Sequence, residues 1–318
     1  LLALALPAAA AAQVEADPVL RGRALVGDEP MSSGTVVLHR ITAQEQGELD
    51  SIPVEPDGSF TFQLPSVPDP AGDDMYFAST RHQGVLYFGG AVTTPVQLDS
   101  IYEIQAYDTL VVSVPAGREL AIPIRNVFME PEGDGWRVTD LIQVRNDAPR
   151  TLVSLEEGAV WRYPLPDEAT SPTLGGDFIP GSSEFVDGAL VVHSALPPGE
   201  RVFVIRYLVP DPYITNRLPG ETEVLEELVR EPGPAVTAPE LESRAPVEID
   251  PGSTYKRLSG STLSDATVTL QEGEEQTGRF PVEWLAVLLA LLLTTVALWA
   301  VLGRPDPAPA AGEVGGER

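Results

Sequence analysis

Between residues 17 and about 275, apolar residues come in short runs rich in Val, Ile, Tyr and Phe, recurring about every 8 to 12 positions between Gly, Pro and Asp. That spacing predicts short strands joined by tight turns. The runs are Val36 to His39, Phe60 to Leu64, Val85 to Phe88, Ile101 to Tyr107, Leu110 to Val114, Arg137 to Val144, Leu190 to His193 and Val202 to Val209. Several alternate apolar and polar, as sheets with one solvated face require. From Val202 to Leu208 apolar side chains fall on both faces for most of the run, which predicts a central strand of a sandwich. Pro56–Asp57–Gly58–Ser59 supplies a positive-φ glycine between two strands, and Pro197–Pro198–Gly199–Glu200 reverses the chain before Val202. Glu221 to Arg230 fits a short helix with an acidic first turn and an edge strand equally well. Pro232 to Pro239 reads as a linker or loop.

Two apolar segments break this rhythm. Trp284 to Leu302 is an apolar run of 19 residues interrupted only by Thr294 and Thr295. As a helix it would be about 28 Å long, close to the ~30 Å hydrocarbon core of a bilayer. Trp284 and Trp299 fall near its two ends, where interfacial indoles are favoured, and Arg304 follows at the inner boundary. The first residues, LLALALPAAAAAQVEA, read as a signal peptide with a truncated start: an h-region from Leu1 to Leu6, then small residues that permit cleavage after Ala12 or Ala16.

The expected fold class is mainly β, with two tandem antiparallel β-sandwich domains followed by one C-terminal transmembrane α-helix. The expected organisation is a signal peptide over 1–16, a first sandwich over 17–107, a second over 108–275, a juxtamembrane stalk over 276–283, the helix over 284–302 and a short cytoplasmic tail over 303–318. It implies a single-pass cell-membrane protein whose bulk lies outside the cytoplasm, with the bilayer as one partner. Glu272, Glu274 and Glu275 would keep the stalk extended by mutual repulsion.

Charge narrows the partners. The chain carries 20 Lys and Arg against 47 Asp and Glu, a net charge of −27, and Lys256 is its only lysine. Such a surface repels phosphate backbones, so no nucleic acid is expected as a partner. There is no cysteine, which excludes disulfides, thiol nucleophiles and cysteine zinc sites. The fold must therefore hold by burial alone.

The N-terminal segment carries Arg21–Gly22–Arg23–Ala24–Leu25–Val26, Gly34–Thr35–Val36–Val37–Leu38, Pro56–Asp57–Gly58–Ser59–Phe60–Thr61–Phe62–Gln63–Leu64, Tyr76–Phe77–Ala78 and Gln83–Gly84–Val85–Leu86–Tyr87. In this order the pieces resemble the carboxypeptidase regulatory-like domain, a transthyretin-like seven-stranded sandwich found on secreted and outer-surface bacterial proteins. The resemblance covers 17 to about 107. It implies a folding, adhesion or interaction module without catalysis of its own. The chain departs from that pattern in the polar, acidic excursion from Ile41 to Val54, which fits a simple loop. The whole arrangement resembles bacterial single-pass envelope proteins that pair such a domain with a second β-domain and one C-terminal helix, which implies a location; a part in envelope or respiratory-complex assembly is expected by association with such families alone.

Catalytic motifs fail on spacing. A zinc carboxypeptidase needs H-x-x-E, whereas His39 is followed at that spacing by Thr42, His82 by Val85 and His193 by Leu196. There is no G-x-S-x-G elbow. Asp73–Asp74 and the acidic group Glu130, Glu132 and Asp134 could offer oxygen ligands to calcium, but neither matches a D-x-D-x-D-G loop. No catalytic residue, metal or cofactor is assigned. The aromatic side chains Tyr76, Tyr87, Phe88, Tyr102 and Tyr107 could form a platform for a sugar ring or apolar peptide if several face outward. The expectation is thus a non-enzymatic interaction or scaffold module with a protein partner outside the cytoplasm. A carbohydrate- or calcium-binding protein is the alternative, and a hydrolase with an unfamiliar site comes third.

Overall fold

The computed structural model describes residues 17–272 apart from 72, 73, 113–119, 156, 157, 178, 180, 219, 265 and 266; of 264 and 267–272 it describes only the backbone. The chain is mainly β, in several sheets. The expected leader, the Trp284–Leu302 helix with Trp284 and Trp299, and the tail with Arg304 lie outside the described residues. Among the described residues no helix is long and apolar enough to cross a membrane.

Buried apolar residues fall into two clusters, one between Leu20 and Ala106 and one between Leu120 and Leu258. In the first, β1 (Val19–Val26) runs antiparallel to β2 (Glu29–Pro30) and β5 (Ser59–Gln63), and parallel to β8 (Tyr102–Ala106). Period two turns Leu20 and Ala24 inward with Phe60, Phe62 and Ile104. The second sheet of this cluster has the order β4 (Gln46–Pro53), β3 (Thr35–Ile41), β6 (Met75–His82), β7 (Val85–Phe88). It contributes Val36, Leu38, Tyr76 and Ala78 to the core.

The excursion after Ile41 is not a simple loop, because Gln46 to Pro53 forms edge strand β4 on β3. Both faces of β4 are almost wholly exposed, so its backbone ladder leaves no apolar alternation in the sequence. The Asp57–Gly58 turn is as expected, with Gly58 at φ +81°.

The second cluster is built on a seven-stranded sheet. Its order is β14 (Thr170–Gly176), β17 (Gly199–Val209), β11 (Gly135–Asn146), β10 (Leu120–Glu132), β19 (Glu221–Arg230), β22 (Ser253–Ser264), β21 (Glu242–Asp250). The rest form three small sheets: β9 (Thr109–Val112) with β12 (Thr151–Ser154); β13 (Trp161–Pro164), β16 (Ala189–Val192) and β15 (Ser183–Val186); and β18 (Tyr213–Arg217), β23 (Thr267–Glu272) and β20 (Val236–Thr237). Trp161 stacks on Phe203 with ring centroids 5.4 Å apart, joining β13 to the large sheet.

Four expectations change here. The sheets are mixed rather than antiparallel, because β1–β8, β9–β12 and β10–β19 pair in parallel. Side-chain alternation is the same for either direction, so the sequence does not carry that distinction. Glu221 to Arg230 is an interior strand between β10 and β22, neither a helix nor an edge. Strand β17 is interior, but Phe203, Ile205, Tyr207 and Val209 face the core while Val202 and Leu208 face solvent. Glu272 ends β23 opposite Val236, inside the expected second domain, and residues 236–237 are strand within the expected linker.

Candidate functional site

The hairpin from β6 to β7 turns on Gln83 and Gly84, both in the left-handed region at φ +46° and +85°. Two such residues make the tight turn whose twist suits a two-residue hairpin. His82 then pairs with Val85 and Thr80 with Tyr87, and the Gly89 N–H donates to the Ala78 carbonyl at 2.9 Å. Hydrogen-bonded pairs alternate along an antiparallel ladder. The backbone groups of Val85 and Tyr87 therefore face β6, and those of Leu86 and Phe88 face away from it.

Strand β7 is the edge of its sheet, and it lines an open groove of about 750 Å³. The other walls include Ile179, the Leu196–Pro198 bend, Arg201 and Phe203, of which Leu196 and Phe203 belong to the second cluster. Phe88 is 55 % exposed, Ile179 58 % and Leu86 41 %. Tyr87 turns the other way. Its hydroxyl donates to the Tyr107 carbonyl at 2.8 Å and lies 2.7 Å from Thr151 Oγ1, and burial raises its pKa. The Asp177 carboxylate accepts from the Val202 N–H at 2.7 Å.

The expected aromatic platform is not formed by its tyrosines. Tyr76, Tyr87 and Tyr102 are buried. The Tyr76 hydroxyl lies 2.6 Å from Ser66 Oγ, and Tyr102 accepts from the Ala78 N–H at 2.9 Å. Tyr107 packs edge-on against Tyr87. Strand period two points these tyrosines into the first core, where each hydroxyl or ring finds a partner, and of the five only Phe88 is well exposed. Phe88 instead joins His39 and Phe77 on the outer face of the sheet, where His39 and Phe77 stack with centroids 4.7 Å apart.

His39 Nε2 lies 2.8 Å from Ser79 Oγ, and Glu48 stands opposite His39 across the β3–β4 ladder. Burial lowers the His39 pKa against the opposing pull of Glu48. This is the histidine geometry nearest to a nucleophile–base pair, but the Ser79 side chain is 1 % exposed in mid-strand, where no substrate carbonyl reaches it. His82 pairs with Asp108 at 3.0 Å, and His193 sits between the Gly158 carbonyl and Glu184.

Of the acidic group considered for calcium, Glu130 and Glu132 are paired with arginines. Glu130 holds Arg230 at 2.6 Å, and Glu132 holds Arg137. Asp74 takes two hydrogen bonds from Arg40, which hold its pKa below the ordinary value, while Asp73 lies outside the described residues. Among the described residues no group of three or more His, Asp or Glu is placed to hold a metal ion.

A second polar constellation lies sealed inside the second cluster. The Arg125 guanidinium donates to both oxygens of Asp140, at 3.1 and 2.7 Å, and to Asn216 Oδ1 at 3.1 Å, and it lies over the Tyr163 ring. Asn216 Nδ2 donates to Glu227 Oε1 at 2.9 Å. Arg125, Asp140, Asn216 and Glu227 all have no measurable exposure. Burial works to lower the Arg125 pKa, but the Asp140 carboxylate overrides it and raises the value. Burial pushes Glu227 up to about 7. Inaccessible to a ligand, this cluster ties β18 to β10, β11 and β19 of the seven-stranded sheet through Asn216.

Sequence reasoning missed Leu86 as an edge residue and Arg201, Ile179 and Phe203 as its neighbours, because the groove joins segments more than 90 positions apart. The usable signal was local: Gln83–Gly84 as a hairpin turn followed by an uncharged strand. No family model matches the chain, and no curated protein matches it.

Proposed function

We propose that this chain is a non-enzymatic interaction module, held at a membrane by its C-terminal apolar segment with its β-rich bulk outside the cytoplasm. The observation that carries this reading is the groove beside β7, where Leu86, Phe88 and Ile179 stand exposed around an unpaired strand edge. The resemblance of residues 17–107 to the carboxypeptidase regulatory-like domain supports it, since that domain serves interaction. Anchorage would hold the groove near other membrane proteins, in keeping with a part in envelope or respiratory-complex assembly. A carbohydrate-binding reading draws on the exposed Phe88 ring and predicts that glycans shift its environment.

The test is a crosslinked recovery of the tagged full chain from its native membranes, beside the same chain on an unrelated anchor. Recovery of one reproducible complex with both anchors supports the module reading. Loss with the foreign anchor assigns the contact to the helix, and recovery of nothing above background removes the reading.

A further inference from the structure

Resting on the interaction-module reading, we infer that β7 accepts an extended polypeptide as an added strand, whose apolar side chains enter the groove and whose Asp or Glu side chain meets Arg201. The backbone supplies the first reason. Leu86 and Phe88 turn two N–H donors and two carbonyl acceptors away from β6, and among the described residues none bonds them. A partner strand alongside would satisfy all four, and β7's four residues offer about 13 Å of ladder.

The contrast with three longer edges supplies the second; β5, β9 and β12 are also uncharged edges, but none of them borders this groove. Natural edges are guarded by charge, proline or bulges. Strand β4 carries Glu48 and Asp50 and ends at Pro53; β21 carries Glu242, Arg244, Pro246, Glu248 and Asp250; β14 contains Pro172 and a register shift. Strand β7 reads Val-Leu-Tyr-Phe and has none of these. Its edge faces the groove lined by Ile179, Pro197, Pro198 and Phe203, where alternate side chains of an added strand would be buried.

Charge selects the partner. Among the described residues several arginines, Arg201 included, pair with no carboxylate, and Arg201 is the one of these that lines the groove. Asp177 is turned to the Val202 N–H. The complement of the groove is therefore apolar with one carboxylate. A second copy of this chain fits poorly, because two bodies of charge −27 repel.

The test selects a random twelve-residue peptide library displayed on phage against the full chain in detergent, with the Leu86→Pro chain as counter-selection. Leu86→Pro deletes one outward N–H and no ladder bond to β6, and circular dichroism with thermal unfolding checks that it folds. Enriched peptides are expected to be apolar with an acidic residue. N-methylation at alternate positions should abolish binding in one frame and spare it in the other, the signature of one strand edge. Arg201→Gln should weaken the acidic peptide about tenfold or more, and the same peptide with Gln for its acid far less. No enrichment over the Leu86→Pro chain, or loss in both N-methyl frames, overturns the inference, as does a dimer that Leu86→Pro dissociates. A native complex recovered equally by the Leu86→Pro chain overturns strand addition at β7 but leaves the module reading standing, whereas no complex at all removes that reading.

Discussion

The hydroxyl of Tyr87, on the last strand of one sheet, lies 2.7 Å from Oγ1 of Thr151, which belongs to the parallel β9–β12 pair. Thr151 is fully buried, and the same tyrosine oxygen donates to the Tyr107 carbonyl. One side chain of the first core thus reaches the start of the second, directly behind the groove. Tyr87→Phe should cost about 1 kcal/mol or somewhat more, since it leaves buried polar groups unpaired. Chemical unfolding checks this, and an unchanged midpoint would show the hydroxyl to be dispensable.

The ion pair of Arg125 and Asp140 should behave as a buried unit. Removing either partner alone, by Arg125→Met or Asp140→Asn, strands the other in the core and should destabilise by about 3 to 5 kcal/mol. The double variant should lose clearly less than the sum of the two. Additive losses from denaturant titrations would mean that the two groups are not coupled.

Glu227 gives a pH dependence with a defined sign. Its carboxyl is raised from 4.5 to about 7 by burial, so the unfolded chain releases this proton earlier than the folded one. Stability from this group therefore falls as pH rises from 4.5 to about 7 and is level above that. Glu227→Gln should remove the fall and stabilise the protein at about pH 8 by something on the order of 3 kcal/mol. Unfolding curves of both chains across that range decide it, and parallel pH profiles would rule the shift out.

Two glycines at similar φ should differ in what alanine does to them. At Gly84, φ +85°, an added Cβ meets nothing within 4 Å, so Gly84→Ala should cost about 1 to 2 kcal/mol of backbone strain alone. At Gly58, φ +81°, the Cβ would stand 2.6 Å from the Ala24 carbonyl oxygen, which adds a backbone clash. Gly58→Ala should be the more destabilising of the two, and comparing their melting temperatures tests it.

Much of the strand content was legible because burial on one face writes itself into every second residue. Val85 to Phe88 coincides with β7, and Val36 to His39, Arg137 to Val144 and Leu190 to His193 overlap observed strands. Strand β4 escaped because its backbone ladder to β3 needs no apolar side chain. Glu221 to Arg230 stayed ambiguous because helix and strand patterns overlap over ten residues in which Glu227 is buried. A buried glutamate breaks the usual link between charge and solvent, and its hydrogen-bond partner Asn216 stands on a strand of another sheet.

By itself, the sequence determined the β class, the absence of thiol chemistry, the acidic surface and the sites of the tight turns, since each depends on residues near one another in the chain. Tertiary structure alone decided which tyrosines are inside, that β1–β8, β9–β12 and β10–β19 run in parallel, and that Arg201 stands in the same groove as Phe88. Those outcomes depend on strand order and direction, and the alternation of side chains along a strand is blind to both.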